Sequence, residues 1–352
     1  MTEPFISELA ERVREHAARK APLRIRGGGT KDFYGAGKGG EPLDLAGYAG
    51  IVAYEPRELV LTVKAGTRVA DIESALAAEG QMLAFEPPRF GEAATIGGTV
   101  ACNLSGPRRP YAGAVRDFVL GARIVNGKGE DLSFGGRVIK NVAGYDVSRL
   151  MTGALGTLGV LTELSFKVLP RPPAEATLAF EMDEARMIEA VNRWAGQPLP
   201  LSATAWEAGV LRVRLTGASS AVAAARAKLG GSQSADGASY WEDLREQRLA
   251  HFAAGQPLWR LSVAQTAAPF ALGHPQLIEW GGGLRWVAGD LGAARAREAA
   301  GQAGGHATLF RGGEIAGGVF HPLAPAIAKI HRRLKEAFDP AGILNPGRLD
   351  NL

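Results

Sequence analysis

Three consecutive glycines, Gly27-Gly-Gly29, follow directly on the strand-like stretch Pro22-Leu-Arg-Ile-Arg26. Backbone without Cβ atoms lets successive N–H groups converge on a phosphate, and Thr30 adds a hydroxyl beside Lys31. The spacing is neither the Gly-x-Gly-x-x-Gly of a Rossmann unit nor a Walker loop. Similar segments recur: Pro87-Pro-Arg-Phe90, Ala94-Thr-Ile-Gly-Gly98, Asn103-Leu-Ser-Gly106, Lys140-Asn-Val-Ala-Gly-Tyr-Asp146 and Gly153-Ala-Leu-Gly-Thr-Leu-Gly-Val-Leu-Thr162. Singly, each reads as a tight sheet corner. The chain has 47 glycines, roughly twice the usual share of about 7%, and their clustering demands a local explanation.

A length of 352 residues points to two domains. Lys+Arg 40 against Asp+Glu 36 leaves a charge of +4, against a disordered or nucleic-acid-coating chain. A single cysteine, Cys102, excludes an internal disulfide and any cysteine-built zinc or iron–sulfur site. Charges in Met-Thr-Glu-Pro-Phe-Ile-Ser-Glu fall where a signal peptide needs its apolar core, and no apolar run approaches a membrane span. A cytoplasmic protein is expected.

Phe5, Ile6, Leu9 and Val13 predict an opening helix. Residues 59–63 read as a strand, Thr67 as an N-cap, and 69–79 as a helix stopped by Gly80. Residues 120–125 form a strand turned by the hairpin dipeptide Asn126-Gly127, and 159–168 another strand. Leu169-Pro-Arg-Pro-Pro173 marks a domain boundary. Beyond it come a strand (177–182), a helix (184–194), a hairpin (203–207 with 211–215) and a helix (221–229). A similar series follows: strand 259–263, hairpin 277–280 with 284–287, helix 293–302 and strand 306–310. Either this is an internal repeat, or short α+β segments align by chance. Residues 240–252 read as an extra helix, and 323–338 as an amphipathic one with Arg332-Arg-Leu-Lys335 on a solvated face. Six tryptophans lie between Trp194 and Trp286, as cap core or partner surface.

Together and in this order, segments 26–34, 87–106, 140–146 and 153–162 resemble the FAD-binding domain of the vanillyl-alcohol oxidase / p-cresol methylhydroxylase (PCMH) superfamily. Phe338-Asp-Pro-Ala-Gly-Ile-Leu-Asn-Pro-Gly347 is similar to the C-terminal segment of its FAD-linked oxidase branch, which oxidises 2-hydroxy acids. The resemblance implies an α+β fold. A PCMH-type, two-subdomain FAD-binding domain would span 1–172 and an antiparallel-sheet, ferredoxin-like α+β cap, single or duplicated, 173–336; residues 337–352 would return to the FAD domain. It implies FAD contacts from Arg26, Gly27, Gly28, Gly29, Thr30 and Lys31, from Pro88, Thr95, Gly97, Gly98, Asn103 and Gly106, from Gly156, Gly159 and Val160, and from Asn345 and Arg348. Residues 27–30 and 95–98 would hold the pyrophosphate, and 156–160 would border the ribityl and adenine side. Relatives with covalent flavin often place a histidine just after the glycine loop; Thr30 stands there, so noncovalent FAD is expected.

Relatives that oxidise 2-hydroxy acids carry a histidine-rich metal site, with a Gly-Asp-Gly-Asn-x-His stretch and a Glu-His-Gly triplet. Neither is present, and His306, His321 and His331 lack ligand spacing, so no metal is expected and no catalytic residue is assigned. The resemblance implies one subunit of a complex that oxidises glycolate or D-lactate to the 2-oxo acid. Its partners would be a larger catalytic FAD subunit and an iron–sulfur subunit, with no nucleic acid and no transmembrane segment. It would be cytoplasmic, peripheral at the inner membrane through those partners. Two alternatives stay open. One is a self-sufficient FAD oxidoreductase with Arg109, Arg311 or Arg348 gripping a carboxylate; the other is a catalytically silent structural subunit.

Overall fold

Ile6, Leu9, Ala10 and Val13 share one face of helix Pro4–Arg19 and pack on Leu23, Leu43 and Leu344. The structure, a computed structural model, describes residues 3–37, 39–136, 145–252, 257–313 and 315–349. Strands Leu23–Arg26 and Glu41–Asp44 pair in parallel. A five-stranded antiparallel sheet follows, in the order Ile51–Glu55, Val60–Lys64, Val160–Lys167, Val119–Val125, Asp131–Gly135. Its central strand is buried at Val160, Leu161, Leu164 and Phe166, and helix Val69–Ala78 closes that core with Ile72 and Leu76.

Two local expectations are corrected. Arg68, not Thr67, occupies the N-cap of helix Val69–Ala78; the Thr67 hydroxyl instead donates to Lys64 O (2.6 Å). Nor does Asn126-Gly127 make a two-residue turn. Pairing ends at Val125↔Asp131, and the Asn126 Oδ1 accepts from the N–H groups of Lys128 and Glu130, both at 3.0 Å, folding a longer loop.

Residues 174–311 contribute an eight-stranded antiparallel sheet. Its order is Ser232–Gln233, Ala174–Glu181, Val210–Gly217, Leu201–Glu207, then Gln276–Glu279, Leu284–Ala288, Leu258–Ser262, His306–Arg311. The second half retraces the first in mirror order, and the halves meet at Ala205↔Glu279, Trp206↔Ile278 and Glu207↔Leu277. The internal repeat is therefore present in the strand order. Helices Glu184–Ala195, Ser219–Leu229 and Ala293–Gln302 cover the sheet, and no helix joins Ser262 to Gln276 where the first unit has one. The extra helix is Gly237–Arg245, with a short 3-10 turn at Ala250–Phe252. Five tryptophans are buried and Trp206 half-buried, so they are chiefly core.

The chain end folds back on its beginning. Leu23 N–H donates to Ile343 O (2.8 Å) and Asn345 N–H to Leu23 O (3.0 Å). Lys335 is not a solvated surface charge. Its ammonium donates to Asp339 Oδ2 (2.7 Å), Thr157 O and Leu344 O (both 2.8 Å), tying helix Pro325–Phe338 to the loop before the central strand. Among the described residues, no helix is long and apolar enough to cross a membrane.

Candidate functional site: a glycine-lined cleft and its neighbours

A cleft opens between the first strand pair and the five-stranded sheet. Segment 26–31 runs along it, facing Thr95, Gly97 and Gly98, with Gly156, Gly159, Asn345 and Arg348 in its walls. None of the five N–H groups from Gly27 to Lys31 donates to an acceptor among the described residues. Backbone donors left open along a cleft form an anion-binding nest. The opposite wall is built differently. At the start of helix Ile96–Cys102, Ile96 N–H goes to Thr67 O (2.9 Å), Gly97 N–H to Ala65 O (2.8 Å) and Gly98 N–H to the Thr95 hydroxyl (3.3 Å). Those donors are already spent.

The glycines let these two walls meet. A Cβ on Gly28 would overlap the Ala93 carbonyl oxygen, and one on Gly27 the Thr95 hydroxyl. Gly97 stands so near Ala65 that a Cβ would lie 2.8 Å from its methyl. Absent side chains thus serve loop-to-loop contact, while the N–H groups remain for a ligand.

Asn345 is a bracket. Its Oδ1 accepts from Ile25 N–H and its Nδ2 donates to Leu155 O, both at 2.7 Å, joining the first strand to the 153–156 loop. Arg348 donates to Lys31 O (3.2 Å) and Asp32 O (3.3 Å), fixing the turn after the glycines. Lys31 is buried, donates to Arg89 O (3.2 Å), and burial lowers its ammonium pKa. Cys102 faces the same cleft; burial raises its thiol pKa although Lys31 and Arg348 pull it down.

The expected residues therefore divide. Arg26 to Lys31, Thr95, Gly97, Gly98, Gly156, Gly159, Asn345 and Arg348 line the cleft. Pro88 and Gly106 line a smaller neighbouring cavity, Asn103 caps the end of helix Ile96–Cys102, and Val160 is buried in its strand. Residues 140–144 of the segment 140–146 lie outside the described residues.

That smaller cavity is bounded by Pro88, Phe90, Leu104 and Gly106 on one side and by the eight-stranded sheet on the other. Trp280 Nε1–H donates to Gly106 O (3.2 Å) across the boundary, and Glu246 accepts from Arg89 and Phe90 N–H groups (3.0 and 2.8 Å). Burial pushes the Glu86 carboxyl up, but Arg214 and Arg108 outweigh it and hold the pKa low. Of the ten non-glycine residues with positive φ among those described, Leu155 and Asn345 line the cleft, while Phe90, Gln247 and Trp280 line this cavity. Backbone strain collects at functional sites. Sequence reasoning missed Arg260 and Glu279 here, because single polar residues on alternating strands carry no local signal.

A third, wider cavity lies beside helix Pro325–Phe338, with Arg260, His306, His321 and His331 in its walls. Among the described residues, no three His, Cys, Asp or Glu side chains converge as a metal site. Two of the three suggested carboxylate arginines, Arg348 and Arg311, are hydrogen-bonded within the chain. Arg348 braces the glycine turn, Arg311 donates to Gln247 (2.8 Å) and covers Phe33, and Arg109 lies over Trp280.

Residues 6–135 match the FAD binding domain family, and 323–349 match the C-terminal domain of FAD linked oxidases. Fold and cleft together define an FAD-binding protein of the FAD-linked oxidase class. Glycolate oxidase subunit GlcE of Escherichia coli (strain K12) is 47% identical over 345 residues, covering 98% of this chain and 97% of that one. The chain belongs to the family of that subunit. Glycolate oxidase subunit GlcD of Bacillus subtilis (strain 168) is 33% identical over 175 residues, 49% of this chain and 36% of its own length. D-lactate dehydrogenase of Anaerostipes hadrus is 34% identical over 173 residues, with the same two coverages of 49% and 36%. The fold is that of p-cresol methylhydroxylase: TM-score 0.68, 18% identity, 98% of this chain and 87% of that one.

Proposed function

We propose that this chain is the FAD-binding subunit of a complex that oxidises glycolate, and by extension D-lactate, to the 2-oxo acid. The observation that carries the reading is the open run of N–H groups from Gly27 to Lys31 in the cleft. Full-length similarity to a glycolate oxidase subunit supplies the substrate class. The partners would be a larger catalytic FAD subunit and an iron–sulfur subunit. The chain would be cytoplasmic and reach the inner membrane through them. Residues 1–172 with 337–352 would serve as the FAD-binding unit and 173–336 as its cap.

Bound FAD would supply the two-electron redox chemistry. The glycine segment would cradle the pyrophosphate through its free N–H groups, with Thr30 and Arg26 beside it. Thr95, Gly97 and Gly98 would form the facing wall rather than donate. Gly156 and Gly159 would border the ribityl and adenine side, and Asn345 and Arg348 would hold the cradle's shape. Thr30 offers no imidazole for attachment, which supports noncovalent binding. Purification of the chain alone tests the reading: one FAD per chain is expected, and a colourless protein that takes up no FAD contradicts it.

A further inference from the structure

The cavity that holds Pro88 and Gly106 is small and is walled by Leu104, Trp280, Trp286 and Phe310. Two groups of opposite charge enter it from the sheet, Glu279 buried and Arg260 half-buried, the latter also bordering the wider cavity. Arg260 projects from Leu258–Ser262, opposite Trp286 in the register, and Glu279 ends the strand Gln276–Glu279. They face the same space, each within the other's electrostatic reach, yet they form no ion pair. The Arg260 guanidinium makes no hydrogen bond to a described residue; it rests over the rings of Trp280 (5.2 Å) and Trp286 (6.0 Å). Glu279 accepts a single hydrogen bond, from Trp286 Nε1–H to Oε1 (2.7 Å), leaving its other oxygen without a described donor. Arg245 also lines the cavity, but Glu246 and Glu73 already hold it (3.0 and 3.6 Å).

A half-buried guanidinium with no carboxylate partner stays free to grip an anion, and a buried carboxyl with an open oxygen is costly to keep. A ligand that satisfies both must carry an anion at one end and a hydrogen-bond donor next to it. Arginine grips a carboxylate bidentately, and a carboxyl oxygen accepts from a hydroxyl. The apolar walls admit only a short carbon skeleton. Arg109 stacks on Trp280 as well (4.4 Å), placing another guanidinium close to Arg260. Positive φ at Phe90, Gln247 and Trp280 shows that the chain is bent out of easy conformations to frame this space.

We propose that this cavity binds a small 2-hydroxy-carboxylate, its carboxylate held by Arg260 and its hydroxyl donating to Glu279. The proposal rests on the glycolate reading above and gives that substrate a place on this chain.

Trp280 and Trp286 line the cavity, so intrinsic fluorescence reports binding without any turnover. The purified FAD-loaded chain is titrated with glycolate and, as the analogue lacking a hydroxyl, with acetate. Saturable quenching is expected, with glycolate the tighter ligand. Arg260→Met should weaken glycolate by roughly tenfold or more, as expected for a lost charge-assisted contact, with an unchanged melting curve. Glu279→Met should erase the preference for glycolate over acetate while acetate still binds, which shows the cavity intact. The proposal is overturned if the wild-type chain shows no quenching, if Arg260→Met binds glycolate as tightly as wild type, or if acetate matches glycolate. Co-purification with the co-expressed larger flavin and iron–sulfur subunits is scored separately. Assembly without glycolate binding removes the site and leaves the subunit reading; binding without assembly does the reverse.

Discussion

Gly28 and Ala93 approach so closely that any Cβ on Gly28 would overlap the Ala93 carbonyl oxygen. The glycine is needed by the facing loop as much as by a ligand. Gly28→Val should therefore push the two walls apart, at a cost of about 1–3 kcal/mol from overpacking, and empty the cradle. A denaturation curve and the FAD-to-protein ratio check this together. Wild-type FAD occupancy in the variant would remove the 26–31 segment from the account.

Asn345 should matter through geometry. Asn345→Ala would leave Ile25 N–H and Leu155 O without partners, and each unsatisfied buried group costs about 1–3 kcal/mol. The expected result is a lower unfolding midpoint and faster FAD loss on dilution. Asn345→Asp keeps the acceptor for Ile25 and should recover part of the stability.

Much of this was legible in the sequence. Apolar periodicity located the opening helix, the central strand and nearly every element of the duplicated sheet, because each buries one face. The glycine segments marked the cleft, since close approach of backbone leaves few other choices. The rest depended on contacts far apart in the chain. Thr67 turns inward to Lys64 O instead of capping, Lys335 is drawn in by Asp339 and two carbonyls, and Asn126 folds a longer loop. Arg260 and Glu279 face one cavity only because their strands, Leu258–Ser262 and Gln276–Glu279, flank the same strand, Leu284–Ala288.

Glu279 gives a pH signature. Burial pushes its carboxyl up to about 7, against the ordinary 4.5, although Trp286 and Arg260 pull it down. The native state therefore holds this proton more tightly than the unfolded chain does. Its stability contribution is full below pH 4.5 and is lost as pH rises to about 7. Glu279→Gln should remove that slope, so the wild type should lose stability relative to the variant between pH 5 and pH 7.5. Urea midpoints across that range check it; parallel curves would contradict it.

Noncovalent attachment is tested by acid precipitation. With Thr30 at the end of the glycine segment, the yellow colour should pass into the supernatant. Colour kept in the pellet would point to a covalent bond, with Cys102 in the cleft as the first residue to examine.

The central claim is that this chain is a flavin subunit working within a glycolate-oxidising complex. The most direct measurement is glycolate-dependent dye reduction, by the purified FAD-loaded chain alone and by the chain co-expressed with the larger flavin and iron–sulfur subunits. The account predicts negligible reduction by the chain alone and full activity in the assembled complex, lost when this chain is omitted. Dye reduction by the isolated chain at the rate of the complex, or a complex equally active without it, would contradict the account.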